Sequence, residues 1–217
     1  MKYVSTRGST PEQTFEGVLL SGLARDGGLF VPAEWPAMDN AAIAALDGMD
    51  YPEIVARIVR PFIEPDLISD ADLAAICARA YAGFRHPATA PLVELDADTW
   101  LLELFHGPTL AFKDFALQLL GGLFDHVLGM RGERLTIVGA TSGDTGSAAI
   151  EACRDRENLD IFMLFPDGRV SEVQRRQMTT VTSSNVHNIA VRGTFDDCQD
   201  MVKAMFADEG LRDELGL

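Results

Sequence analysis

After Trp100, short apolar runs recur at intervals too long for hairpins and long enough to hold a helix: WLLELF, LTIVGA, IFMLFP and NVHNIAV. Helical segments lie between them, one from Thr109, one after Gly146, one over 173–180 and one after NVHNIAV. Parallel neighbours require a crossover of this kind, and strands covered by helices on both faces lose polar alternation, as residues 161–165 do. The pattern predicts an α/β fold in three layers, a parallel sheet with crossover helices. Only three or four strands fit, fewer than a typical sheet, so the polypeptide is expected to continue beyond Leu217. The closing GLRDELGL reads as lying on or just after a helix.

The first part of the chain has a different character. Thr10, with Pro11 next and Gln13 three residues on, reads as a capping box opening a helix that runs to Gly22. Segments 41–46 and 51–63 also read as helices. Ser69 and Asp72 repeat the start signal, and Leu73, Ile76, Cys77 and Ala80 form an apolar face at helical spacing. The prolines of HPATAP, 86–91, break the pattern. This predicts a small, mostly helical domain over 1–90 and the first part of an α/β domain over 91–217.

Composition narrows the function. With 217 residues, 47% of them hydrophobic, the chain can bury a core. Its 18 Lys and Arg stand against 33 Asp and Glu, a formal charge of -15. Such a field repels phosphate backbones and anionic lipid, so neither nucleic acid nor membrane is an expected partner. The N-terminus lacks a secretory pattern and no run is apolar enough to span a bilayer, which makes the cytoplasm the expected location. Cys77, Cys153 and Cys198 form no metal or disulfide spacing. His86, His126 and His187 lack ligand spacing, and of the acidic group Asp196, Asp197 and Asp200 two read as sitting at a helix start, so no metal site is expected.

Two features carry chemistry. In TLAFKDFALQLLGGLFDHVL, read as a helix from Thr109, the polar positions Asp114, Gln118, Gly121 or Gly122, and Asp125 form one stripe, and Lys113 lies off it. Its helical neighbours Thr109, Leu110, Ala116 and Leu117 offer no carboxylate. If buried there, the ammonium is disfavoured, and a neutral amine attacks aldehydes to form a Schiff base. The residues alone favour the commoner fate, a stem that snorkels to water. The second feature is the turn 139–146, GATSGDTG, between a strand and a helix. Its amides, the helix dipole and the hydroxyls of Thr141, Ser142, Thr145 and Ser147 suit an anion. Neither a Walker loop nor GxGxxG fits its spacing. His106 reads as shaping the turn before Lys113.

Taken together, LFHGPTLAFKDF (104–115) and GATSGDTG resemble threonine synthase, with support from YVSTRG (3–8), GLARDGGLFVP (22–32) and FPDGRVSEVQRRQMTT (165–180). The resemblance implies pyridoxal phosphate (PLP) fold type II, like the tryptophan synthase beta chain. It implies a lyase that converts O-phospho-L-homoserine and water to L-threonine and phosphate, the last step of threonine biosynthesis. Lys113 falls on the Schiff-base lysine, flanked by Phe112 and Asp114. Thr141, Ser142, Gly143 and Thr145 fall on the turn that holds the substrate carboxylate, and Asp144 falls beside the cofactor's phenolic oxygen. Many relatives have asparagine at that last position, so Asp144 carries a proton, acts through water or serves another group. The turn for the cofactor phosphate and the group facing its ring nitrogen are expected beyond Leu217. For the leaving phosphate, Arg154, Arg156, Arg169, Arg175 and Arg176 are candidates by charge alone. The rival readings are a threonine synthase-like lyase that eliminates phosphate without forming threonine, and a non-catalytic anion-binding module.

Overall fold

A computed structural model describes residues 1–208 and 210–211. Most of the terminal GLRDELGL therefore lies outside the described residues. The chain divides into two compact units, Met1–Ala82 and Gly83–Leu217.

The first unit is helical, with one small sheet that the sequence reading did not anticipate. β1 (Tyr3–Ser5) pairs antiparallel with β2 (Phe30–Pro32). The loop before β2 is tied to β1 by Asp26, whose carboxylate accepts from Ser5 Oγ (2.7 Å), Ser9 N (2.9 Å) and Gly28 N (2.9 Å). Partial desolvation of Asp26 opposes ionisation, but these hydrogen bonds outweigh it and bring the carboxyl down to about 2. Helix α1 is Phe15–Ser21, shorter than expected and capped by Thr14. Thr10 does not cap it: its hydroxyl accepts from Asp26 N, while Gln13 bridges to Tyr3. Pairing with β1 thus outcompetes the capping box. Helices α2 (Asn40–Ala44) and α3 (Tyr51–Val59) follow, the latter ending in a 3-10 turn, Arg60–Phe62. Helix α4 (Asp70–Tyr81) starts at Ser69, whose hydroxyl accepts from Asp72 N, and it buries Leu73, Ile76, Cys77 and Ala80 as its periodicity requires.

The second unit opens with an antiparallel hairpin, β3 (Leu92–Asp96) and β4 (Thr99–Leu102), exposed along both strands. This corrects one expectation, because WLLELF does not open the parallel sheet. A five-residue partner lies only two residues upstream, and local antiparallel pairing takes it.

The parallel sheet has three strands in sequential order, β5 (Leu135–Ala140), β6 (Leu159–Pro166) and β7 (Val186–Val191). Its crossovers are α6 (Asp144–Cys153) and α7 (Glu172–Thr179), and α8 (Phe195–Ala207) follows β7. On one face, Val138, Ala140, Phe162 and Leu164 pack with Cys198, Val202, Met205 and Phe206 of α8. Side chains alternate across a strand, so Ile161, Met163 and Phe165 point the other way, and they too are buried.

Helix α5 (Asp114–Arg131) precedes the sheet and packs on α6. It begins five residues later than the sequence suggested, and its polar stripe is not a solvent face. Asp114, Gly121 and Gly122 are buried, and Asp125 pairs with Arg156 at 3.1 Å. A Cβ at Gly121 would stand 2.5 Å from Ala152 O of α6, so the stripe is the seam between two closely packed helices.

All three cysteines are buried and unpaired, and burial pushes the Cys77 and Cys153 thiols up to about 11. Among the described residues no helix is long and apolar enough to cross a membrane, and no group of His, Cys, Asp or Glu has the geometry to hold a metal ion.

Candidate active site

Because α5 starts at Asp114, Lys113 is its N-cap residue rather than part of its apolar flank. The preceding residues, 107–113, form a turn. Leu110 N donates to Gly107 O (3.2 Å), and Leu110 adopts φ 66°, a left-handed conformation rare for a residue with a side chain. Asp114 is fully buried and reaches back into this turn. Its Oδ2 accepts from Thr109 N (2.8 Å) and its Oδ1 from Thr109 Oγ1 (2.7 Å). Gly107 is required here, since a Cβ would collide with the Asp114 carboxylate.

Lys113 itself is half-buried, with Nζ 4.8 Å from the centroid of the half-exposed Phe112 ring. That is cation–π range, so the amine has a favourable neighbour that helical spacing did not reveal. His106 stands immediately before the turn, and its contacts run back to the preceding segment. Its Nε2 lies 2.7 Å from Glu103 Oε2, its ring packs on His86, and its carbonyl accepts from Arg85 N.

The second turn joins β5 to α6. Thr141 is 1% exposed, and its hydroxyl oxygen accepts from Gly143 N (3.0 Å) and Gly146 N (2.9 Å). Ser147 donates to Asp144 O (3.0 Å). Two of the four hydroxyls thus build the loop from inside, while Ser142 and Thr145 are exposed. Asp144 Oδ1 accepts from Thr145 N (2.9 Å), a local cap on the first turn of α6. The amides of Ser142 and Asp144 take part in none of these bonds. They stand at the N-terminal end of α6, where N–H groups and the helix dipole favour an anion. Gly143 has φ 155°, and a Cβ there would overlap the Gln174 side chain of α7.

Helix α7 touches both turns. Gln174 covers Gly143, and one helical turn later Gln177 Nε2 donates to Thr109 O at 2.9 Å. An open cleft of about 470 Å³ results, lined by Leu110, Phe112, Asp144, Ser147, Gln174 and Gln177 among others. Phe112 and Asp144 both line it. Lys113 sits next to Phe112 in sequence, Ser142 and Thr145 are exposed on the loop, and Thr141 and Gly143 are buried beneath it. Asp114, Gln174 and Gln177 were not read as site residues. Asp114 and Gln177 lie inside segments of family resemblance, but nothing in a sequence shows that their polar ends meet Thr109.

Of the arginines, Arg154 pairs with Glu151, Arg156 with Asp125, and both Arg175 and Arg176 with Glu172. Asp197 caps α8 by accepting from Thr194 N (2.7 Å), which together with the Thr194 hydroxyl lowers its carboxyl below the ordinary range. Asp196 and Asp197 thus belong to the first turn of α8, while Asp200 lies further along the helix and pairs with Lys203.

Residues 2–81 match the family model described as Threonine synthase N terminus. Threonine synthase of Pseudomonas aeruginosa is 60% identical over 210 residues, which are 97% of this chain and 45% of that protein. Over nearly its whole length the chain is similar to threonine synthases. The Schizosaccharomyces pombe enzyme is 49% identical, with 96% of this chain and 42% of that protein covered. A crystal structure of PLP-bound threonine synthase from Brucella melitensis superposes with a TM-score of 0.94 at 55% identity, covering 100% of this chain and 47% of that one. The architecture is accordingly the type II α/β fold with an N-terminal helical region. The chain spans less than half the length of each of these similar proteins.

Proposed function

We propose that this chain supplies the lysine and the carboxylate-binding loop of a PLP-dependent threonine synthase acting on O-phospho-L-homoserine. The observation that carries the reading is the shared cleft, where the residue before Lys113 and the first residue of α6 line the same space. The donor set fits the cofactor's chemistry: a primary amine on a fixed turn stands with a helix N-terminus that has spare amides and exposed hydroxyls. Two other groups, for the cofactor's phosphate and ring nitrogen, are proposed to lie outside these 217 residues.

Bound PLP supplies an electron sink for charge that develops at a substrate's α carbon. Lys113 would hold the cofactor and then, as a free amine, take and return the proton at that carbon. Ser142, Thr145 and the amides of Ser142 and Asp144 would grip the substrate carboxylate and so fix the direction of the C–H bond. Thr141 and Gly143 contribute by shaping the loop. Phe112, beside the amine, and Asp144 line the cleft in which the cofactor would lie. With three buried free thiols the chain suits a reducing compartment, and we place the enzyme in the cytoplasm.

The test uses the full-length polypeptide. It should show a visible absorption band that borohydride removes, leaving a label at Lys113, and should release L-threonine and phosphate from O-phospho-L-homoserine. A 2-oxo acid in place of threonine would convert the assignment to a phosphate-eliminating lyase. No label at Lys113 would overturn it. The 217-residue chain alone is expected to bind PLP weakly, and a stable reducible band from it would contradict the proposed location of the phosphate groups.

A further inference from the structure

The turn before Lys113 is held more firmly than a helix entry requires. Thr109 has its N–H and hydroxyl on Asp114 and its carbonyl on Gln177, so all three of its polar groups are engaged, two from its own segment and one from α7. The next residue, Leu110, carries the left-handed φ, and Asp114 is fully buried. A strained, non-glycine conformation persists only where its surroundings over-determine it, and such strain gathers at functional sites. Lys113 lies between the anchored Asp114 and the strained Leu110, so its backbone has little freedom.

We infer that Asp114, Thr109 and Gln177 form a positioning clamp that fixes the direction from which the Lys113 amine enters the cleft. Asp114 and Gln177 act through Thr109 and are positioning residues. Gln177 also makes the amine's position depend on α7, the helix whose Gln174 covers the anion loop, so the two halves of the site are held in register. This inference rests on the proposed role of Lys113.

The test compares Thr109→Val, Thr109→Ser and Gln177→Met in the full-length polypeptide. In the cofactor-free protein, amides of 107–114 should exchange with solvent about ten-fold or more faster in Thr109→Val and Gln177→Met, as expected when a buried hydrogen bond is lost. Addition of PLP should give the visible band more slowly in the same two variants, and kcat should fall while KM for substrate holds. Thr109→Ser keeps both donors and should restore all three readouts. Asp114→Asn, which keeps an acceptor for the Thr109 amide, should fall between them. The clamp is overturned if exchange and band formation in Thr109→Val and Gln177→Met stay within about two-fold of the parent, or if serine is as damaging as valine. Failure of the underlying reading looks different, because the parent protein itself then carries no borohydride label at Lys113.

Discussion

The two turns of the candidate site both deliver a reactive element to the start of a helix, by opposite means. Before α5, a residue inside the helix reaches back, and the Asp114 carboxylate gathers two donors from Thr109. Before α6, a residue ahead of the helix reaches forward, and the Thr141 hydroxyl gathers the amides of Gly143 and Gly146. Each turn has one backbone outlier: Leu110 at φ 66° in the first, Gly143 at φ 155° in the second. The difference lies in what each leaves free. In the first, Thr109 spends its N–H and hydroxyl on Asp114 and the candidate group is a single side-chain amine, whereas in the second the buried Thr141 hydroxyl is spent on the loop and the candidate donors include backbone amides. Chemistry concentrated in one side chain is lost to one substitution. Chemistry spread over a backbone is lost only when the loop deforms.

That contrast can be broken experimentally, and the largest effect should come from the lysine. Lys113→Ala in the full-length enzyme should lower kcat by about 10²–10⁴, the usual worth of a positioned acid–base group, with the denaturation midpoint unchanged. Thr141→Val should show the reverse profile. It strands two amides in the loop's interior and should cost about 1–3 kcal/mol of stability in urea denaturation, with activity falling as the loop loosens. Ser142→Ala removes one of several donors and should raise KM by only about two- to ten-fold with folding intact. A loss as large as that of Lys113→Ala would show that the second turn is not distributed.

The smallest effect lies in the N-terminal unit and concerns pH. Asp26 is held down to about 2, below its ordinary 3.8. A depressed carboxyl contributes stability above its unfolded value and loses it as pH falls through its folded one. Asp26→Asn should therefore flatten the fall in melting temperature between about pH 4 and about pH 2, and an unchanged slope would mean that other carboxylates govern it.

The period and the Ser69 helix start were legible in the sequence. The three parallel strands, the helices between them and the Ser69 cap follow from local patterns, because burial on both faces and side-chain capping act within a few residues. Thr10 misled because its capping signal is local whereas β1–β2 pairing is not: Gln13 is drawn to Tyr3 and Thr10 to Asp26. WLLELF misled for the same reason, its partner being the adjacent strand. In the site, Lys113 and the glycine loop were visible as motifs. The buried role of Asp114 was not, since an acidic residue at a helix start reads equally well as a solvated partner of the dipole. Gln177 was invisible because its contact spans 68 residues of chain.

The bare backbone of Gly121 acts as a gauge. Helices α5 and α6 each carry one of the two turns at their N-terminal ends, and the place where a Cβ would meet Ala152 O fixes how near their axes come. A methyl group there would wedge the rods apart, and the displacement would be felt at their tips, as the spread between amine and anion loop. On the proposed reading, the span between amine and anion loop is thus set several residues away, by a hydrogen atom where every other amino acid has carbon.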